Sequence, residues 1–286
     1  MIAMRVLAFC FFWLLCLTGC RTSAPEPLRF ATAVNSPTYP FAYADTATND
    51  YLRTLRRRYA LEELVRGATT DRERVLRVLD WTHRQWSHNG SNTPSESDAL
   101  TILEEAAGGK QFRCVEYGIV SSSALAALGL PARVLSLKTK KVETTKFGAG
   151  HVLAEVWLTD EGKWAMIDGQ FNVMPVLDDR PLNAVELQRA LAGGAAVTLA
   201  NVAGPVAEKQ QRSYLGFVTD YLYYFNVSFD QRMLPDADDR ITYRDKSGLM
   251  LVPEGAGEPT VFQRVAPIDY VVYTNNAGAF YLAVSE

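Results

Sequence analysis

From Asp50 to Val65 apolar residues recur at helical spacing (Leu52, Leu55, Tyr59, Leu61, Leu64), with Arg53, Arg56, Arg57 and Arg58 mostly on the opposite, solvated side. A second helix starts at Thr70 or Asp71, carries Val75, Val78, Leu79 and Trp81 inward, and ends near Trp86. Asn89 to Ser97 is a polar loop, and Ser97 or Asp98 caps a short helix that runs to Ala107 before Gly108-Gly109 stops it. Cys114 to Leu128, small and apolar, reads as a helix closed by Gly129-Leu130-Pro131. Strand-like runs follow at Ala132–Leu137, His151–Leu158, Lys163–Asp168 and Phe171–Val176, and Asn183 can cap a helix over Ala184–Leu191. Beyond it lie a glycine-containing apolar stretch (Gly193 to Gly204) and an aromatic-rich one (Tyr214 to Phe229). Further candidate strands fall at Ile241–Tyr243, Gly248–Pro253, Tyr270–Thr274 and Ala279–Val284. Helices first and strands after is the α+β pattern.

The first twenty residues follow a different logic. Arg5 precedes a continuous apolar run from Val6 to Leu17, and Leu17-Thr18-Gly19-Cys20 closes it. A run of about a dozen residues is too short to span a bilayer, which needs roughly 20, and fits a cleaved secretory segment. The closing tetrapeptide resembles the lipobox of bacterial lipoproteins, which implies acylation of Cys20. Arg21 at the next position, where an aspartate would retain the protein at the inner membrane, favours the outer membrane of a Gram-negative bacterium. The expected organisation is a signal peptide at 1–19 and a lipid-anchored linker at 20–49, whose Pro25, Pro27, Pro37 and Pro40 read as a stalk. A core at 50–192 and a C-terminal extension at 193–286 packed on it follow.

Composition narrows the classes. The chain has 286 residues, 48% hydrophobic and 21% charged, which excludes a mostly disordered chain. Its net charge of −3 supplies no clustered basic face for phosphate, so no nucleic-acid partner is expected. Membrane attachment is expected through the lipid on Cys20 alone. Of the four cysteines, Cys10, Cys16 and Cys20 crowd into the leader, and Cys114 is the thiol left in the body. No cofactor is expected. His83 and His88, five apart, are poorly placed as a metal pair, so no metal site is expected.

Cys114 falls at the start of a helix, where unpaired N–H groups and the helix dipole favour a thiolate. His151 is the histidine that opens a strand. That strand and the next are joined by Thr159-Asp160-Glu161-Gly162, a turn signal; pairing Leu158 with Lys163 sets Leu153 opposite Asp168 and His151 opposite Gln170. His151 and Asp168 then share a face as diagonal neighbours ~7–8 Å apart, with Leu153, Trp157 and Trp164 expected to cover them. A nucleophile, a base and a carboxylate that orients the base form one constellation.

Phe112-Arg113-Cys114-Val115-Glu116-Tyr117, Gly129-Leu130-Pro131-Ala132-Arg133, the run from His151 to Trp157, and Lys163-Trp164-Ala165-Met166-Ile167-Asp168 carry a family resemblance. Together they resemble the transglutaminase-like superfamily of papain-type cysteine enzymes over about residues 70 to 190. Trp81 and Trp86 look like the aromatic helix that often precedes this core. The resemblance implies a papain/transglutaminase-like fold, in which the nucleophile starts a helix packed on an antiparallel sheet carrying the histidine and aspartate. It also implies Cys114 as nucleophile, His151 as general base, Asp168 as orienter and a peptide or protein amide as substrate. Phe112 stands where many members have glycine. For the oxyanion, the Cys114 N–H is the first donor, and Gln111 and Gln170 are candidates for the second. Two functions fit: acyl transfer or hydrolysis at an amide through a thioester, or a binding and scaffolding lipoprotein that has kept the fold without turnover. Lys138, Lys140, Lys141 and Lys146 read as a solvated loop, and the aromatics from Tyr214 to Phe229 as core packing rather than a sugar platform.

Overall fold

The computed structural model describes residues 25–33, 38–234 and 237–284. Its centre is a six-stranded sheet in the spatial order Val271–Thr274, Gly248–Leu251, Tyr224–Ser228, Ala132–Lys138, Gly150–Leu158, Lys163–Ile167. All neighbours are antiparallel except the first pair, which is parallel. A smaller sheet is built from Met174–Leu177, Thr198–Asn201 and two short edge strands. The expected hairpin register is the one observed: Leu158 faces Lys163, Trp157 faces Trp164 and Glu155 faces Met166.

The sheet has two covered faces. Ala154 and Val156 on one face meet the N-terminal helices Asp50–Arg58, Asp71–His83, Ala99–Ala107 and Cys114–Ala127. Leu135, Leu137 and Leu153 on the other meet helices Ala184–Ala192 and Glu208–Thr219. Three strands of the sheet come from beyond residue 193, so the C-terminal part belongs to the same sheet as the His151 strand. The capping residues lie where the sequence puts them: Thr70 accepts from the Glu73 N–H, Asp98 from Leu100 and Thr101, and Asn183 from Glu186.

Several local expectations change. The first helix breaks at Tyr59–Ala60, where Ala60 takes a left-handed φ of 48°, and resumes as Leu61–Leu64; the break lets Leu61 bury beside Leu52 and Leu55. Ala279–Val284 is not a strand. Asn276 caps a helical turn at Ala277–Phe280, and Gly278 there lies so close to the backbone that a Cβ would sit 2.7 Å from Thr32 O. Ile241–Tyr243 likewise stays outside the strands, held by a bridge of Tyr243 to Lys246. The helix Glu208–Thr219 is a structural finding, since its apolar positions are mixed with polar ones and aromatics. The linker from residue 25 is also no free stalk. Gln188 Nε2 donates to Glu26 O at 2.8 Å, Glu254 N to Arg29 O at 2.9 Å, Ala31 N to Asn275 O at 2.8 Å, and the Phe30 ring meets Phe225. Cys20 lies outside the described residues, as do the signal peptide and Pro37.

Candidate active site

Cys114 is the first residue of its helix, and the segment leading to it is pinned from both sides. Asn89 N donates to Phe112 O at 2.7 Å and Asn92 Nδ2 to Gln111 O at 2.9 Å. The Phe112 ring is fully buried, edge-on to Trp86 with centroids 5.6 Å apart, and Tyr117 one turn along the helix donates its hydroxyl to Trp86 O at 2.8 Å. Phe112 is thus an apolar anchor for the approach to Cys114. Glu116, buried in the first turn, accepts from the Arg113 N–H at 3.0 Å and from its guanidinium at 2.6 Å and 3.3 Å. The pair neutralises a carboxylate buried in the first turn of the helix.

The histidine and aspartate meet as the register requires. His151 Nε2 and Asp168 Oδ2 are 2.7 Å apart, and both side chains are buried. Asp168 Oδ1 accepts from the backbone N–H of Gln170 (3.0 Å) and Phe171 (3.3 Å), and Oδ2 accepts also from Tyr214 Oη at 3.1 Å. Burial pushes the His151 imidazole down. The Asp168 charge and hydrogen bond, then a hydrogen bond and charge from Cys114, more than offset it and bring the ring up to about 10. At neutral pH the ring is therefore an imidazolium, the partner a thiolate needs. With Nε2 held by Asp168, Nδ1 is the nitrogen left to exchange a proton with Cys114, a free and partly exposed thiol.

Two close approaches hold helix and sheet in place. A Cβ on Gly118 of the Cys114 helix would lie 2.9 Å from Leu153 O, and one on Gly169 would lie 2.8 Å from Ser121 Oγ of the same helix. Side chains at either position would separate the Cys114 helix from the strand of His151 and the turn of Asp168.

The cover over the pair differs from the expected one. Trp157 and Trp164 share its face but lie six residues along the strand, about 20 Å away. There Trp164 stacks on the buried Arg133 guanidinium, 4.2 Å from ring centroid to Cζ, and donates to Leu282 O. His151 is enclosed instead by Phe217 (centroids 5.1 Å), Tyr221 (5.8 Å) and Phe171 (6.0 Å). Burial first, then the charges of Asp220 and Cys114, raise the Tyr221 phenol above its usual value. These aromatics are core packing, as the sequence suggests, and they are also walls of the site. The helical spacing of Tyr214, Phe217 and Tyr221 was the available signal.

The two glutamines are not brought to the sulfur by any hydrogen bond among the described residues. Gln111 is exposed; Gln170 gives its backbone N–H to Asp168, and its side-chain Oε1 is buried without a hydrogen-bond partner. His88, dismissed as a metal ligand, stands near the pair: burial, then the His151 charge, hold its imidazole below the usual value against the pull of Asp168. Its backbone bridges Phe112, two residues before Cys114. No sequence spacing links positions 88 and 112. Lys138, expected in a solvated loop, is buried as the last residue of its strand, its Nζ on Ser136 Oγ at 2.9 Å. Among the described residues no three His, Cys, Asp or Glu side chains gather as a metal-ion site.

Comparison with known proteins gives a family over part of the chain. Residues 58–169, which include Cys114, His151 and Asp168, match the model of the transglutaminase-like superfamily. Similar solved structures include a candidate cysteine protease from Cytophaga hutchinsonii (19% identity, 46% of this chain and 40% of that one, TM-score 0.34). The periplasmic domain of TgpA from Pseudomonas aeruginosa is similar over 45% of this chain and 51% of its own (16% identity, TM-score 0.31). LapG of Legionella pneumophila matches over 62% and 98% (12% identity, TM-score 0.31). The chain spans only 28–51% of the length of four such structures. No curated protein matches it.

Proposed function

From the transglutaminase-like superfamily domain at residues 58–169, we propose that the chain is a cell-envelope lipoprotein that cleaves or transfers an amide acyl group through a Cys114 thioester. Transglutaminase-like proteins act on peptide or protein substrates, and a polypeptide amide is the substrate class taken here. The observation that carries the reading is the 2.7 Å bond of His151 to Asp168, on a ring whose pKa Asp168 and then Cys114 raise.

The steps follow from the site. The proton given up by Cys114 rests on the His151 imidazolium, and the thiolate attacks the amide carbon. The imidazolium returns that proton to the leaving nitrogen as the C–N bond breaks, leaving a thioester on Cys114. Water then gives a proton to His151 and adds to the thioester carbon; the C–S bond breaks, releasing the acid and restoring the thiolate beside the imidazolium. Asp168 holds the ring in the tautomer that leaves Nδ1 free. Hydrolysis is preferred to amine transfer because water is always available. Anchoring through Cys20 at the outer membrane rests on the Leu17-Thr18-Gly19-Cys20 sequence and Arg21; among the described residues no helix is long and apolar enough to cross a membrane.

The test is alkylation of Cys114 by iodoacetamide across pH, with His151→Ala and Asp168→Ala. Rapid alkylation well below the ordinary thiol pKa of ~8.5, lost in both variants, is expected; a rate that rises only near that value and ignores both substitutions refutes the reading. The binding and scaffolding alternative is favoured by one observation, that neither glutamine is tied to the sulfur as a second oxyanion donor. Under it, Cys114→Ser keeps the biological role intact.

A further inference from the structure

The first described residues and the candidate site lie at the same end of the sheet. Glu26 Oε2 pairs with Lys140 Nζ at 2.9 Å, and that ammonium lies 5.4 Å from the centroid of the Tyr223 ring. Two residues earlier, the Tyr221 ring lies 5.8 Å from His151. Leu222 between them bridges Lys138, and Lys138 faces Gly150, the residue before His151. Two residues of extended chain span at most about 7 Å, so Glu26 and His151 are separated by on the order of 20 Å.

The tether above this point is short. Residue 26 is held by Gln188 and Lys140, and residues 29 and 31 by the C-terminal part of the fold. From Cys20 to Glu26 the chain can reach roughly 20 Å when fully extended, whereas a free stalk to Asn49 would reach about 100 Å.

Resting on the reading that Cys20 bears the lipid and Cys114 is the nucleophile, we infer that the anchor holds the Cys114–His151 end of the body beside the bilayer. The substrate is then a polypeptide segment close to the membrane surface, within about 40 Å of it. The lipid acts as a height restriction, and amides displayed farther out are not reached.

Cys114 is the one thiol in a chain whose leader is removed and whose Cys20 is acylated, so it can report the height directly. The lipidated full chain is placed in phosphatidylethanolamine/phosphatidylglycerol vesicles carrying an iodoacetamide group on lipid-anchored oligoproline spacers. Spacers of six and thirty prolines extend about 20 Å and 90 Å. The short spacer is expected to alkylate Cys114 at least ten-fold faster, and a 25-residue Gly/Ser insertion between Arg21 and Pro25 is expected to remove that preference. Equal rates from both spacers, with rapid His151-dependent alkylation by free iodoacetamide, overturn the placement alone. Slow alkylation by free iodoacetamide that ignores His151→Ala overturns the nucleophile reading beneath it. A Cys20→Ala chain that floats with vesicles as well as the unaltered one overturns the anchor.

Discussion

Tyr214 donates its hydroxyl to Asp168 Oδ2 at 3.1 Å from a helix 46 residues downstream, making the C-terminal part of the chain a support of the His151–Asp168 pair. Tyr214→Phe keeps the ring against Phe171 and removes the Tyr214 hydroxyl from that carboxylate. An unfolding cost of about 1–3 kcal/mol is expected, since a buried acceptor loses a donor. Iodoacetamide alkylation should slow, though less than in Asp168→Ala. Unchanged urea unfolding and unchanged alkylation would show that the hydroxyl does not support the pair.

The dependence of stability on pH has two opposing parts. His151 is raised in the fold from 6.5 to about 10, so its contribution is complete below pH 6.5 and is lost as pH rises through 10. Lys138 is lowered by burial from 10.5 to about 8; the unfolded chain binds the extra proton between those values, so stability rises with pH over that window. Between pH 8 and 10 the two slopes offset one another. Lys138→Met should stabilise the protein at pH 7 by up to about 3 kcal/mol, and should leave a stability that falls monotonically above pH 7. Urea unfolding from pH 6 to 11 reads both effects.

Gly169→Ala places a methyl group against Ser121 Oγ, a buried hydroxyl with no hydrogen-bond partner among the described residues. The clash should cost about 1–3 kcal/mol and slow alkylation of Cys114 by moving the Asp168 turn off the helix. Ser121→Ala removes the clashing atom, so the double variant should recover most of the loss. A double variant no better than Gly169→Ala alone would place the strain elsewhere.

Arg133, fully buried, donates to Glu155 at 2.7 Å and 3.0 Å and to Phe280 O at 3.0 Å, while Tyr281 Oη reaches the other Glu155 oxygen at 2.8 Å. Arg133→Met strands Glu155 and should cost about 3–5 kcal/mol; the Arg133→Met/Glu155→Met pair should recover much of that. Removing residues from Ala277 onward should destabilise the whole sheet, measured as a lower midpoint in urea rather than loss of a separate transition.

The legible parts of this chain are those whose signal is local. Thr70, Asp98 and Asn183 cap their helices because a short polar side chain there meets unpaired N–H groups, whatever surrounds it. The Leu158–Lys163 pairing was readable because the strand period of two leaves one register that buries the same face on both strands. That register alone set His151 and Asp168 on one side.

The less legible parts depend on encounters between distant segments. Ala279–Val284 is a short continuous apolar run like a buried strand, yet Asn276 and the close packing of Gly278 on Thr32 make its start a helical turn. Lys138 sits in a lysine-rich stretch and still ends buried, because its strand runs one residue further than the pattern suggests. By itself the sequence determined the Cys114 helix and the His151–Asp168 register, each from periodicity or capping within a few turns of chain. Only the tertiary structure decided which aromatics enclose His151, that Tyr214 holds Asp168, and that the linker packs on the body. Those outcomes depend on burial between segments tens to hundreds of residues apart, and neither periodicity nor capping records which buried surfaces meet.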